Sequence, residues 1–114
     1  MTTMHTWEAA LLAFNTRDYR TAIERLEQVL ADEPNNVNAR EYLARALYLR
    51  ASLGPAETQA RTILAADPTN EYVTLLLARI LERQSRHDEA AGVRRLLVAL
   101  TGDARHAANH NALA

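Results

Sequence analysis

The 114-residue chain has no cysteine, so disulfides, thiolate nucleophiles and thiolate metal sites are excluded. It has no lysine either. All 13 basic residues are arginine, which together with 22 alanines points to a GC-rich bacterial genome rather than to a chemistry. Only three glycines are present, and none stands in a GxGxxG, P-loop or nucleophile-elbow setting, so no phosphate cradle or activated serine can be drawn. No apolar run approaches the ~18 residues that a spanning helix needs. The first residues, Met1-Thr2-Thr3-Met4-His5, lack the basic start and apolar stretch of a secretory signal. A net charge of −1 and a pI near 6.4 give no basic field for nucleic acid or an anionic membrane. The expectation is one cytoplasmic domain that needs no cofactor and no metal and partners neither nucleic acid nor membrane.

What the chain does have is a period. Glu33-Pro34-Asn35-Asn36 returns as Asp67-Pro68-Thr69-Asn70, 34 residues on. The same shift aligns Ala10, Ala44 and Ala78, and again Ala22, Ala56 and Ala90; small residues recurring in this way suit close helix–helix approach. Larger apolar trios surround them, Leu12/Ala46/Ile80, Val29/Ile63/Leu97 and Leu30/Leu64/Val98, and are expected in the core. Local signals give two helices per period. Asn15-Thr16-Arg17-Asp18-Tyr19, Ser52-Leu53-Gly54-Pro55 and Gln84-Ser85-Arg86-His87-Asp88 are breaks, with Glu89 opening the helix after the last. Pro55 suits a first helical turn, while Pro34 and Pro68 end the helices before them.

These residues resemble the tetratricopeptide family, whose W-x₂-L-G-x₂-Y…A-x₃-F…P pattern lies over three consecutive segments without a gap. In the second segment Leu43-Ala44 takes the Leu-Gly slots, Leu47 the Tyr slot, Ala56 the Ala slot and Pro68 the closing proline. The Trp slot holds Thr6, Arg40 and Thr74, and the Phe slot Leu26, Ala60 and Arg94. The resemblance implies an all-α, right-handed α-α superhelix (a tetratricopeptide solenoid) of three helix-turn-helix repeats, about 3–36, 37–70 and 71–104, with a C-terminal cap at about 104–114. It also implies a non-enzymatic protein-interaction module, an adaptor whose first helices line a concave groove.

Five of the six aromatics fall in the rows which that register assigns to the groove: Met4/Asn38/Tyr72, Trp7/Glu41/Leu75, Glu8/Tyr42/Leu76, Leu11/Arg45/Arg79 and Phe14/Tyr48/Glu82. Tyr19 alone lies outside them, at a turn where the family packs a tyrosine into the core. The expected peptide-binding residues are therefore Trp7, Leu11, Phe14, Tyr42, Arg45, Tyr48, Tyr72, Leu75, Leu76 and Arg79. Aromatic bodies would anchor an apolar or amphipathic peptide or helix. Arg45 and Arg79 would either orient it through a carboxylate or pair with Glu41 and Glu82 as a solvated face. The family's carboxylate clamp needs Lys and Asn in these rows, where this chain has Trp7, Leu11, Tyr42, Tyr72 and Leu76.

Gly102 and Asp103 read as a helix stop and a new N-cap, with a short helix from Ala104 to Leu113. Val93, Leu96, Leu97 and Leu100 spread over more than one face of the preceding helix. Either the tail caps them or a second copy does, so the alternative function is a structural or regulatory subunit that associates through its C-terminal edge, as a homodimer or an accessory chain. His106 and His110 have the i, i+4 spacing of two zinc ligands, but with no third ligand they read as exposed tail histidines.

Overall fold

The computed structural model describes residues 2–108 and divides into two compact units, Met1–Gln59 and Ala60–Ala114. The chain is all-α: six helices, α1 (Thr3–Asn15), α2 (Tyr19–Asp32), α3 (Val37–Leu49), α4 (Leu53–Ala66), α5 (Glu71–Arg83) and α6 (His87–Thr101), precede a single 3₁₀ turn, η1 (Ala104–Ala107). There is no strand among the described residues. In the first unit α1 packs on α2 and α2 on α3; in the second α5 packs on α6, and α6 carries η1.

The helix pairs meet through alanine. Ala10, Ala22, Ala44, Ala56 and Ala78 are fully buried, and Ala90 is 1% exposed. With no side chain beyond Cβ, the two backbones of a pair can approach closely. Val29, Ile63 and Leu97 are buried around them, whereas Leu30, Leu64 and Val98 are half-buried. Leu12 departs from the expected core: it is 66% exposed, although Ala46 and Ile80 in the same register are fully buried. α3 packs on α2, a second helix that precedes it, and among the described residues no second helix precedes α1.

The turns repeat as faithfully as the core. Arg17, Ala51 and Ser85, each one period apart, adopt φ of 63°, 63° and 60°. Around them the same pair of backbone bonds closes each first helix: Arg17 N–H to the Phe14 carbonyl with Asp18 N–H to Ala13, Ala51 to Tyr48 with Ser52 to Leu47, and Ser85 to Glu82 with Arg86 to Leu81. This is the Schellman closure, which normally uses glycine at its left-handed residue. First helices open alike too. Thr2, Asn36 and Asn70 accept the N–H of His5, Ala39 and Val73 through their side chains. The threonines in the family's Trp slot are buried because each returns its hydroxyl to a carbonyl four residues back, Thr6 to Thr2 and Thr74 to Asn70. Arg40 fills the slot differently, donating to Gln59 Oε1 at 2.6 Å and to the Pro34 carbonyl.

Several boundaries differ from the sequence reading. Helix α4 opens at Leu53, inside the break expected over Ser52-Leu53-Gly54-Pro55, and α2 at Tyr19, the last residue of the break expected before it. The last helix opens at His87 rather than Glu89, because the Schellman turn is complete at Arg86. Past Gly102, a left-handed cap at φ 73°, Asp103 accepts the Arg105 N–H as expected, but the described tail is one 3₁₀ turn rather than a longer helix. The remainder of the expected segment, including His110, lies outside the described residues.

Three stability outcomes follow from this geometry. Ala51→Gly should raise the melting midpoint by about 0.5–1 kcal/mol of stability, since the left-handed conformation costs alanine more than glycine's added chain entropy; a lower midpoint would mean that the turn is not held at positive φ. Ala44→Leu should cost about 1–3 kcal/mol by overpacking the helix contact, and an unchanged melting curve would show that no close approach exists there. Asp18, capping α2, has its carboxyl held below the usual range by the Thr21 hydroxyl and then the Thr21 N–H. A depressed carboxylate pKa stabilises the fold above its unfolded value near 4 and loses that contribution as pH falls through the folded value. Acid titration of Asp18→Asn should therefore show a shallower stability loss below about pH 4 than the parent chain.

Candidate functional site

In the first unit four of the expected residues assemble into one aromatic patch. Trp7 and Phe14 stand on one face of α1, two turns apart, and Tyr42 of α3 inserts its ring between them. The Trp7 and Tyr42 centroids are 5.7 Å apart with planes at 83°, and those of Phe14 and Tyr42 are 5.1 Å apart at 89°. Phe14 also meets Tyr19 edge-on at 5.7 Å, so Tyr19 extends the patch from the turn. Edge-to-face pairs of this kind contribute ~0.5–1.5 kcal/mol each beyond area burial. Arg45 lies across the rings, its Cζ 4.9 Å from the Phe14 centroid and 5.0 Å from that of Tyr42. Trp7, Leu11, Phe14, Tyr42, Arg45 and Tyr48 are all half-buried. The rings therefore pack first on one another, and the apolar surface they leave open is a composite one.

The second unit is different. On α5, Tyr72 is 44% exposed, Arg79 is exposed and Leu75 half-buried. Leu76 is only 5% exposed, which corrects the expectation that it faces outward. It shares the register of the half-buried Tyr42, and leucine has no polar tip to keep it at the surface.

Glu82 also leaves the row assigned to it. It is buried, and it receives both arms of the equally buried Arg94 guanidinium: Nε to Oε2 at 2.6 Å and Nη2 to Oε1 at 2.9 Å. The remaining nitrogen, Nη1, donates to the main-chain carbonyl of His106 in η1 at 3.0 Å. Glu82 is thus no partner for Arg79. Sequence reading saw Arg94 in the Phe slot and Glu82 in a helix row as separate features; the signal that joins them is that one buried departure requires the other.

Two cavities in matching places lie beside these residues. One of about 370 Å³ lies in the first unit between the start of α1 and the end of α2, lined by Thr3, Met4, Trp7, Val29, Glu33, Asn36 and Asn38. The other, about 260 Å³ in the second unit, is lined by Glu71, Tyr72, Leu75, Leu97, Thr101 and His106. Five pairs of lining residues and the pair Asn38 and His106 are separated by two full periods. These are one cavity built twice, and η1 stands in the second where the start of α3 stands in the first. Among the described residues no group of three or more potential metal ligands occurs, and no helix is long and apolar enough to cross a membrane.

A family model described as Tetratricopeptide repeat matches residues 13–80, and a second with the same description matches 55–107. The chain belongs to the tetratricopeptide repeat family. Among solved structures it is similar to an Arabidopsis OM64 tetratricopeptide domain (TM-score 0.80, 18% identity, covering 92% of this chain and 87% of that one). It is also similar to the TPR2B domain of yeast Sti1, solved as a complex with pHsp70 (TM-score 0.78, 12% identity, covering 97% and 89%). A third similar structure is MamA AMB-1 (TM-score 0.81, 22% identity), of which the chain spans 56% while 90% of its own length is covered. A search of curated proteins returned no match.

Within the tetratricopeptide pattern, the places of Glu82 and Arg94 are held in the first unit by Phe14 and Leu26, which makes a specific test possible. Arg94→Leu alone should cost about 3–5 kcal/mol by stranding a buried carboxylate. Adding Glu82→Phe should recover most of that loss, since replacing a buried ion pair by packed apolar residues is often neutral or better. Denaturant midpoints of the two variants check this, and equal destabilisation of the single and double variants would show that the pair does more than satisfy itself.

Proposed function

We propose that this tetratricopeptide chain is a non-enzymatic, cytoplasmic interaction module that holds an apolar or amphipathic peptide or helix on its first helices. The single observation that carries the reading is the aromatic patch of Trp7, Tyr42 and Phe14 under Arg45. Aromatic and arginine side chains dominate binding energy where they are pre-packed and partly desolvated, and rings that already brace one another lose little entropy on binding. Leu11 and Tyr48 lie beside it on the same two helices. Tyr72, Leu75 and Arg79 are the corresponding open or half-open positions of α5, with Arg79 orienting a carboxylate. Likeness to a domain solved with pHsp70 agrees with a peptide partner. A second reading, association through the C-terminal edge as a homodimer, is favoured by Leu96, 48% exposed on α6.

The test is a displayed-peptide selection against the whole chain, followed by titration of the recovered peptides while Trp7 emission is read. Tyr42→Asp should abolish binding with the helical circular-dichroism signal intact. Arg79→Ala, at an exposed position, should weaken it by less than about 1 kcal/mol. Retained binding by Tyr42→Asp, with loss on Leu96→Asp, would move the contact to the C-terminal edge.

A further inference from the structure

We infer that the cavity at the start of α1 is a socket for an arginine side chain of the partner peptide, an assignment that rests on the peptide-binding reading and adds a second contact to it. The argument begins with a breach of helix chemistry. The last turn of α2 holds no basic residue, and the helix ends on Asp32 followed by Glu33 at the C-cap. Carboxylates there oppose the negative end of the helix dipole, where a cation is favoured. Local rules broken without local compensation are expected where a ligand compensates.

Both carboxylates are held in place by uncharged donors. Thr3 Oγ1 donates to Asp32 Oδ2 at 2.9 Å, and Asn36 Nδ2 donates to Glu33 Oε1 at 2.8 Å. Thr3, Glu33 and Asn36 line the cavity, so the Glu33 carboxylate, exposed and tied to Asn36, stands at its wall, while the exposed Asp32 is bonded to the lining residue Thr3. Beside the polar Asn38, the rest of the wall is apolar: Val29 is 1% exposed, Met4 is 63% exposed, and Trp7 supplies a ring. An aliphatic stem beside an aromatic face, ending at a carboxylate, fits a guanidinium better than an ammonium, because the planar group stacks on the ring and binds carboxylate in a fork. About 370 Å³ is near the lower limit of roughly 300–1,000 Å³ for ligand pockets, a size for one side chain rather than a cofactor. The duplicate cavity of the second unit supplies the contrast. There Leu75 stands at the place of Trp7 and Thr101 at that of Glu33, while a ring and a carboxylate, Tyr72 and Glu71, stand instead at the places of Met4 and Thr3, so the arrangement of ring and carboxylate differs between the two cavities.

The experiment uses the whole chain and two acetylated, amidated pentapeptides, Ala-Leu-Arg-Leu-Ala and the same peptide with citrulline for arginine, which keeps the shape and removes the charge. Amide and indole NMR shifts at Thr3, Met4, Trp7 and the side-chain amides of Asn36 and Asn38 are followed on titration. The arginine peptide should move these signals and bind at least about threefold more tightly than the citrulline peptide, a ratio in the range of exposed ion pairs. Glu33→Gln should reduce that ratio towards one, and so should raising the salt to about 0.5 M. Trp7→Leu, copying Leu75, should weaken the arginine peptide more than the citrulline peptide. Equal binding of the two peptides by the parent chain, or shifts confined to Phe14, Tyr42 and Arg45, would overturn the socket while leaving the peptide-binding reading standing. An arginine preference that survives Glu33→Gln unchanged would also overturn it.

Discussion

Everything in this chain depends on how closely two helices can approach when their contact is built from alanine. Ala10 against the α2 face containing Ala22, and Ala78 against the α6 face containing Ala90, leave no room for larger side chains. The bulk needed for a hydrophobic core is therefore displaced to the flanks, where Val29, Leu26, Val73, Ile80 and Leu97 are buried almost completely. The aromatics are displaced further, onto surfaces between first helices, where only part of each ring can be covered. A half-covered ring is available to a partner in a way that a core ring is not. The binding surface is in this sense a by-product of the contact that excludes large residues.

The same packing frame accepts opposite chemistries at matching places. Phe14 and Leu26 in the first unit become Glu82 and Arg94 in the second, and both pairs are satisfied. Phe14 meets the rings of Tyr19 and Tyr42 and Leu26 is buried, whereas the ionic pair is satisfied by two short hydrogen bonds and a third to the tail. Buried ion pairs add little net stability compared with packed hydrocarbon, so what the substitution supplies is a donor aimed at a neighbouring backbone. That donor is needed only where the next element is a single 3₁₀ turn, too short to bring a hydrophobic face of its own. The cavities tell a parallel story: the first takes its ring and carboxylate from Trp7 and Glu33, the second from Tyr72 and Glu71, at other places of the same register.

The period, the alanine contacts and the helix ends at Pro34, Pro68 and Gly102 were legible because each is a constraint on a single residue type. Much of the aromatic placement was legible for the same reason: register alone puts Trp7, Phe14 and Tyr42 near one another. Burial was not legible where it depends on a neighbour rather than on the residue itself. Leu12 has a core residue's identity but no covering helix, and Leu76 has a surface row's register but a covered position. The left-handed residues Arg17, Ala51 and Ser85 share no side-chain property, so their common φ could not be read from type. The Arg94–Glu82 pair joins residues twelve apart on different helices, beyond the three- and four-residue spacings that helix patterns reveal.

One hydrogen bond between η1 and α6 joins a guanidinium to a carbonyl of the main chain, the Arg94 Nη1 and the His106 oxygen. Every amino acid carries that oxygen. That bond therefore recognises the path of the backbone and is indifferent to the side chain at 106. Arg94 cannot change without losing it. Variation among relatives of this chain should accordingly accumulate on the tail's side chains and spare the arginine beneath them, the reverse of what exposure alone would suggest for a histidine that is itself half-buried.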